Sequence, residues 1–307
     1  MKKILIATEK PFAPAAVNGI KDIVEKAGYE LRLLEKYSKR SELLEAVKDI
    51  EALIIRSDQI DAEVMDAAPK LKIIVRAGAG VDNVKLDDAK KRDICVMNTP
   101  GQNSNAVAEL VMGLLVFAVR NFYNGKAGRE LKGKTLGLHA FGHTAQNVAR
   151  IAKGFGMKVI AFDPFCPAET IEAAGVKAID DINDLYANAD IVSLHIPATK
   201  QTIHSINYDL LKQMPQGGIL VNSARKEVID EVSLIEFMDE RTDFCYLADV
   251  APAAADTFKS RFDGRYFGTP KKMGAQTAEA NINAGIAAAN QILGFFEKGD
   301  TTFQVNK

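Results

Sequence analysis

Short apolar runs alternate with amphipathic stretches along almost the whole chain. Residues 4–7, 31–34, 53–55, 73–75 and 94–97 are runs of strand length with at most one polar interruption. Between the first two lies 17–27, with apolar positions at helical spacing, and Gly28 stands where such a helix would end. A second series follows at 135–138, 159–162, 191–194, 219–222 and 246–249. Strand, helix, strand at this rhythm predicts parallel βαβ units. Two long helical patterns divide the series. One covers about 104–120; the other places Ile282, Gly285, Ile286, Ala289, Ile292, Leu293 and Phe296 on one face. Residues 121–134 between helix and second series are polar and glycine-rich, which predicts a loop. The fold expected is α/β, with two parallel-sheet domains of Rossmann or flavodoxin type.

Composition narrows the function classes. The 307 residues suffice for two cores, and 47% apolar with 26% charged residues is ordinary for a globular protein. A formal charge of −1 gives no basic field for nucleic acid or an anionic membrane. Cys95, Cys166 and Cys245 are odd in number and far apart, so neither a disulfide framework nor a metal pattern is expected, and a reducing cytoplasm fits. No run approaches the roughly 18 apolar residues of a spanning helix.

The turn after 135–138 reads His139-Ala140-Phe141-Gly142-His143-Thr144-Ala145. Against the glycine fingerprint of dinucleotide-binding folds, Ala140 and Ala145 replace the first and third glycines. Gly142 keeps the middle place, where backbone must approach a pyrophosphate. A helix over 145–155 would present its N-terminal amides, with His143 and Thr144 at the turn. Asp163, 21 residues after Gly142, stands where a carboxylate would accept from the adenosine ribose. No arginine follows it to welcome a 2′-phosphate, so NAD is expected over NADP.

Four further segments carry a resemblance. They are Val75-Arg76-Ala77-Gly78-Ala79-Gly80-Val81-Asp82-Asn83, Asn98-Thr99-Pro100-Gly101-Gln102-Asn103-Ser104, Gly128-Arg129-Glu130-Leu131-Lys132-Gly133-Lys134-Thr135-Leu136-Gly137 and Val221-Asn222-Ser223-Ala224-Arg225. With these the chain resembles the D-isomer-specific 2-hydroxyacid dehydrogenases, most of all the branch that oxidises D-3-phosphoglycerate. The resemblance implies a discontinuous substrate domain (1–101 plus 276–307) with an NAD domain (102–275) inserted. The long helices would be hinges, the active site the cleft between domains, and the assembly a homodimer or dimer of dimers.

It also implies residue roles. Arg225 would pair with the substrate carboxylate and C2 oxygen through its planar fork of donors. The amides of Gly78, Ala79 and Gly80 would form an anion nest for that carboxylate. Arg56 and Ser57 match residues that reach a phosphorylated tail, and Asn103 one that faces substrate and cofactor. Ile196, within His195-Ile196-Pro197, and Ser223, Ala224 and Asp249 would line the cofactor site. No metal is implied.

The chain departs from the common family pattern at two linked positions. Ala254 stands where a glutamate normally orients the catalytic histidine, and Lys272 stands in the histidine's place. A lysine has no tautomer to fix, and an adjacent carboxylate would raise its pKa and spoil it as a base. The pair therefore resembles the lysine variant of the phosphoglycerate branch. The implied reaction is oxidation of D-3-phosphoglycerate to 3-phosphohydroxypyruvate, the entry to serine synthesis. The alternatives are reduction of an unphosphorylated keto acid such as hydroxypyruvate or glyoxylate, and an NAD-sensing role like that of the family's corepressors.

Overall fold

The computed structural model describes residues 1–307. Its contacts divide the chain into two compact units: Met1–Asn103 with Thr277–Lys307, and Ser104–Gln276. The first is discontinuous, the second continuous.

The sheet of the discontinuous unit contains β1 (Lys3–Thr8), β2 (Glu30–Glu35), β3 (Ala52–Ile55), β4 (Ile73–Arg76) and β5 (Cys95–Asn98). The order is β2-β1-β3-β4-β5 and every pairing is parallel. The central strands are continuously apolar because helices cover both faces. On one face Ile4, Ile6, Ile54, Ile73 and Val75 pack with Ile20 and Val24 of helix Pro14–Lys26 and Ala288, Ala289 and Ile292 of helix Ala278–Lys298. On the other, Leu5, Leu53, Ile55 and Ile74 meet Leu43, Val47 and Val64. The two helices of the first face approach closely at Gly285, where an added Cβ would stand 2.9 Å from Ile20 Cδ1. Strand order reverses at β1, so the loops after β1 and β3 open onto a topological switch point. The outer edge of β5 is covered by the last residues: Val305 N donates to Val96 O, and Asn306 bonds both Val96 N and Ile94 O.

The continuous unit carries seven parallel strands: β6 (Thr135–His139), β7 (Lys158–Phe162), β8 (Lys177–Ala178), β9 (Ile191–Leu194), β10 (Ile219–Asn222), β11 (Cys245–Ala248) and β12 (Tyr266–Gly268). Their order, β12-β11-β10-β9-β6-β7-β8, is the doubly wound dinucleotide-binding order extended by one strand, with its switch point between β6 and β9. Helix Ser104–Val119 packs on helix His143–Gly154 across one sheet face. The second helix starts two residues earlier than its apolar face suggests, because Gly142 is its N-cap. β8 and β12 are additions to the pattern read from sequence. No helix is long and apolar enough to cross a membrane. The three cysteines are free, and burial pushes the Cys95 thiol up to about 11 and Cys245 to about 12.

Candidate active site

In the continuous unit, β6 delivers the chain into a tight turn at the switch point. Ala140 adopts φ 82°, the left-handed conformation for which the fingerprint supplies a glycine, while its amide donates to Phe162 O at 2.8 Å. A side chain held there is strained by about 1 kcal/mol. Ala140→Gly should therefore raise stability by up to about 1 kcal/mol, less what glycine adds to unfolded-chain entropy. A urea midpoint that stays put or falls would remove that account of the turn. Ala145 is fully buried, its methyl filling the space where helix and strand meet.

Gly142 has no side-chain cap on the following helix, and a Cβ added there would meet nothing within 4 Å. The first amides of a twelve-residue helix thus face open space, with exposed His143 and half-buried Thr144 beside them. Asp163 lies alongside. Its Oδ2 accepts from Phe141 N at 2.8 Å and its Oδ1 from Phe165 N at 2.9 Å. Each oxygen retains a second lone pair, the acceptor a ribose hydroxyl needs. Ser223 supplies a further sign: its hydroxyl is buried without a hydrogen-bond partner. An amide-rich turn, a carboxylate beside it with lone pairs to spare and an orphaned hydroxyl fit a dinucleotide.

Two histidines sit beneath this turn. His139 is buried at the end of β6, its Nδ1 3.3 Å from Tyr186 Oη, and burial lowers its pKa to about 4. His195 follows β9, its Nε2 2.9 Å from Ser193 Oγ. Burial, with the neighbouring His139, lowers its pKa to about 3. Ile196 after it is buried.

Asn222, fully buried at the end of β10, shapes the next segment. Its Nδ2 donates to Arg225 O and its Oδ1 accepts from Ala224 N, both at 2.9 Å. Arg225 Nη1 donates to Ala224 O at 3.0 Å, and Lys272 Nζ donates to the same carbonyl at 3.3 Å. The fold thus brings together two cations far apart in sequence. Asp249 has no exposed surface. Its carboxylate accepts from Met273 N and Gly274 N, both at 2.8 Å; Thr269 Oγ1 lies 3.0 Å from Oδ1, but its one proton has the shorter contact, 2.8 Å, to Lys271 O. No carboxylate side chain occupies position 254, but Glu231 reaches that backbone, accepting from Ala253 N and Ala254 N at 2.7 and 2.8 Å.

In the discontinuous unit the loop after β4 differs in detail from a three-amide nest. Gly78 N already donates to Arg76 O at 2.8 Å, which leaves the Ala79 and Gly80 amides as the two of the three without a backbone acceptor. Asn98 Nδ2 fixes the loop by donating to Ala79 O at 2.6 Å. Gly78 holds φ 151°, a conformation L side chains rarely adopt, so a substitution there is strained, and a Cβ would also displace the Arg76 guanidinium. Arg56 is braced: Nη1 donates to Lys10 O (3.1 Å) and Pro11 O (3.0 Å), Nη2 to Asn281 Oδ1 (2.6 Å), and the group lies over the Phe12 ring. Its burial lowers its pKa from the usual arginine value. Ser57 is exposed, and Asn103 is half-buried just before helix Ser104–Val119.

The continuous unit therefore has the strand order, phosphate turn and carboxylate of a dinucleotide-binding domain, with an Arg–Lys pair in the segments after β10 and β12, which flank β11. Residues 117–262 match the family model described as D-isomer specific 2-hydroxyacid dehydrogenase, NAD binding domain. The D-3-phosphoglycerate dehydrogenase of Methanocaldococcus jannaschii is 38% identical over 275 residues, 82% of this chain and 51% of that protein. The hydroxypyruvate reductase of Thermotoga maritima is 36% identical over 281 residues, 86% and 90% of the two chains. Among solved structures, NAD+-bound 3-phosphoglycerate dehydrogenase of Entamoeba histolytica is 48% identical, covers 100% of this chain and 99% of that one, and gives a TM-score of 0.89. The chain belongs to the D-isomer-specific 2-hydroxyacid dehydrogenase family, and its continuous unit is the NAD-binding domain. It spans about half the length of the archaeal phosphoglycerate dehydrogenases it matches, 51% and 56%.

Proposed function

We propose that the chain oxidises D-3-phosphoglycerate to 3-phosphohydroxypyruvate with NAD, the first step of serine synthesis. The observation that carries this reading is the meeting of Arg225 and Lys272 on the Ala224 carbonyl. One fixed, always-charged fork and one titratable amine side by side are what a hydroxyacid dehydrogenase needs. Bound NAD supplies the hydride acceptor. Arg225 holds the substrate carboxylate and polarises the C2 oxygen. Lys272 accepts the C2 hydroxyl proton, and the Ala79 and Gly80 amides hold carboxylate oxygen. Arg56, with Ser57 beside it, turns its remaining donors to the phosphate, and Asn103 faces the reacting end.

Asp163 accepts from the adenosine ribose and repels a 2′-phosphate. The Gly142–Thr144 turn takes the pyrophosphate, while Ile196, Ser223 and Ala224 line the nicotinamide side. The domains expected from sequence, 1–101 plus 276–307 and 102–275, then take substrate and cofactor respectively. A cytoplasmic homodimer suits this activity. Its supporting feature is an apolar groove of about 340 Å³ on the NAD domain, lined by Met112, Val116, Ile151, Phe155 and Tyr123, the last 67% exposed.

A second reading, reduction of an unphosphorylated keto acid, draws support from the match to a hydroxypyruvate reductase and from the three Arg56 contacts already in place. NADH formation with 3-phosphoglycerate against D-glycerate separates the two. Arg56→Ala should cost the phosphorylated acid about 100-fold in kcat/KM, the scale of losing a charged partner, and spare D-glycerate. Equal losses would assign Arg56 to the fold. No turnover of either acid would favour an NAD-sensing role.

A further inference from the structure

In the loop after β4, the two amides without a backbone acceptor, those of Ala79 and Gly80, each belong to a peptide unit whose carbonyl is engaged. Gly78 O accepts from Thr99 N at 2.9 Å, and Ala79 O accepts from Asn98 Nδ2 at 2.6 Å. Both donors come from the end of β5, which runs beside β4 with Asn98 opposite Arg76. Every peptide bond in the chain is trans. In a planar trans peptide the N–H points opposite to the carbonyl it is bonded to. Fixing Gly78 O toward Thr99 therefore turns the Ala79 N–H away from β5, and fixing Ala79 O toward Asn98 does the same for the Gly80 N–H. Both amides emerge on one side of the loop, where Ala79 is exposed and Gly80 half-buried, as a nest for one anion requires. Other bonds hold the flanks: Ala77 N donates to Ile55 O, Gly78 N to Arg76 O, Val84 N to Val81 O, and Asn83 Nδ2 to Arg56 O and Asp58 O. They leave the Ala79–Gly80 peptide to Asn98.

We infer that Asn98 is a positioning residue for the substrate carboxylate, holding the Ala79–Gly80 peptide in the orientation that aims the Gly80 N–H at the ligand. The Thr99 bond is backbone to backbone and open to any residue but proline, whereas the Asn98 bond needs a side-chain donor at that position. Without it the Ala79–Gly80 peptide is free to turn over, because glycine accepts either sign of φ at little cost. Turned over, the unit would present a carbonyl oxygen to the carboxylate in place of an N–H. Asn98 is braced in its turn, since its carbonyl accepts from Gln291 Nε2 of helix Ala278–Lys298 at 3.0 Å.

The inference rests on the hydroxyacid reading above, and the choice of substrates separates the two. The carboxylate is common to D-3-phosphoglycerate and D-glycerate. Asn98→Ala should therefore lower kcat/KM about 10- to 100-fold on both acids alike, mainly through KM, the worth of one hydrogen bond to a charged group. Asn98→Asp, which sets an acceptor against the Ala79 carbonyl, should lose at least as much. NADH affinity, read by fluorescence titration, should stay near wild type in both variants. An unchanged kcat/KM in folded Asn98→Ala, a loss confined to the phosphorylated acid, or NADH binding weakened as much as kcat/KM would each overturn the positioning role. Should the Asn98 variants not fold, Gln291→Leu takes their place, with KM expected to rise about two- to tenfold on both acids; an unchanged KM there overturns it. If the wild type oxidises neither acid, the proposed reaction has failed and Asn98 is judged by binding. 3-Phosphoglycerate should then raise the Tm of the wild type more than that of Asn98→Ala, and equal shifts, or none in either, would overturn the role.

Discussion

Replacing Lys272 by alanine is expected to remove most of the hydroxyacid oxidation rate, about 10²- to 10⁴-fold, the usual worth of a positioned general base. At lysine's ordinary pKa of about 10.4 nearly all of it is ammonium at pH 7, so the competent form grows as pH rises. Wild-type kcat should therefore climb through an alkaline pKa, and Lys272→Ala should lose that limb. Lys271→Ala should keep both rate and limb, because Lys271 enters the network only through its carbonyl, which accepts from the Thr269 hydroxyl. If the two variants exchanged behaviour, the base would be Lys271. If neither lost rate, a lysine mechanism would be untenable.

The second large effect is on stability. His139 and His195 are held neutral, with folded pKa values of about 4 and about 3 against an ordinary 6.5. The unfolded chain therefore binds more protons than the folded one below pH 6.5. Both groups give their full stabilisation above that pH, and it is lost as pH falls toward 4 and then 3. Between pH 7 and pH 5 each imidazole should cost about 2 kcal/mol. Urea midpoints at the two pH values measure the loss, and His139→Asn or His195→Asn should flatten it. A wild type equally stable at both would show that these imidazoles are protonated without penalty. Because His139 leads directly into the Ala140 turn, NADH affinity should weaken over the same window.

Much of the fold is legible in the sequence because doubly covered parallel strands are apolar on both faces. Ten runs stand out and each corresponds to an observed strand, shifted by a residue or so at most ends, although β2, at the sheet edge, is only half-buried and carries Arg32 within its run. β8 and β12 escape notice for a physical reason. Lys177–Ala178 is too short and polar to form a pattern, and Tyr266–Gly268 is an edge of two aromatics ended by a glycine. At the site, Gly142, Asp163, Arg225 and Lys272 are visible as motif positions. Their partners are not. Asn281 meets Arg56 across 225 residues, and Glu231 reaches the Ala254 amide from another helix. Asn222 lies inside a recognised segment, yet only its bonds to Ala224 and Arg225 reveal its task. Nor could the sequence show that Gly78 N is already taken by Arg76 O, which leaves two of the three amides expected of that loop.

The discontinuity of the first unit has a consequence for the order of synthesis. Residues 1–103 leave the ribosome with Ile4, Ile6, Ile20 and Ile54 facing water, because Ala288, Ala289 and Ile292, which cover them, come later in the chain. Roughly 190 residues must be added first, an interval of about 10–40 s at ordinary translation rates. The NAD domain, being continuous, can close as it emerges within that interval. The nascent chain is therefore a finished domain joined to an open half-domain, and its exposure to chaperones and to self-association ends only when the last helix arrives.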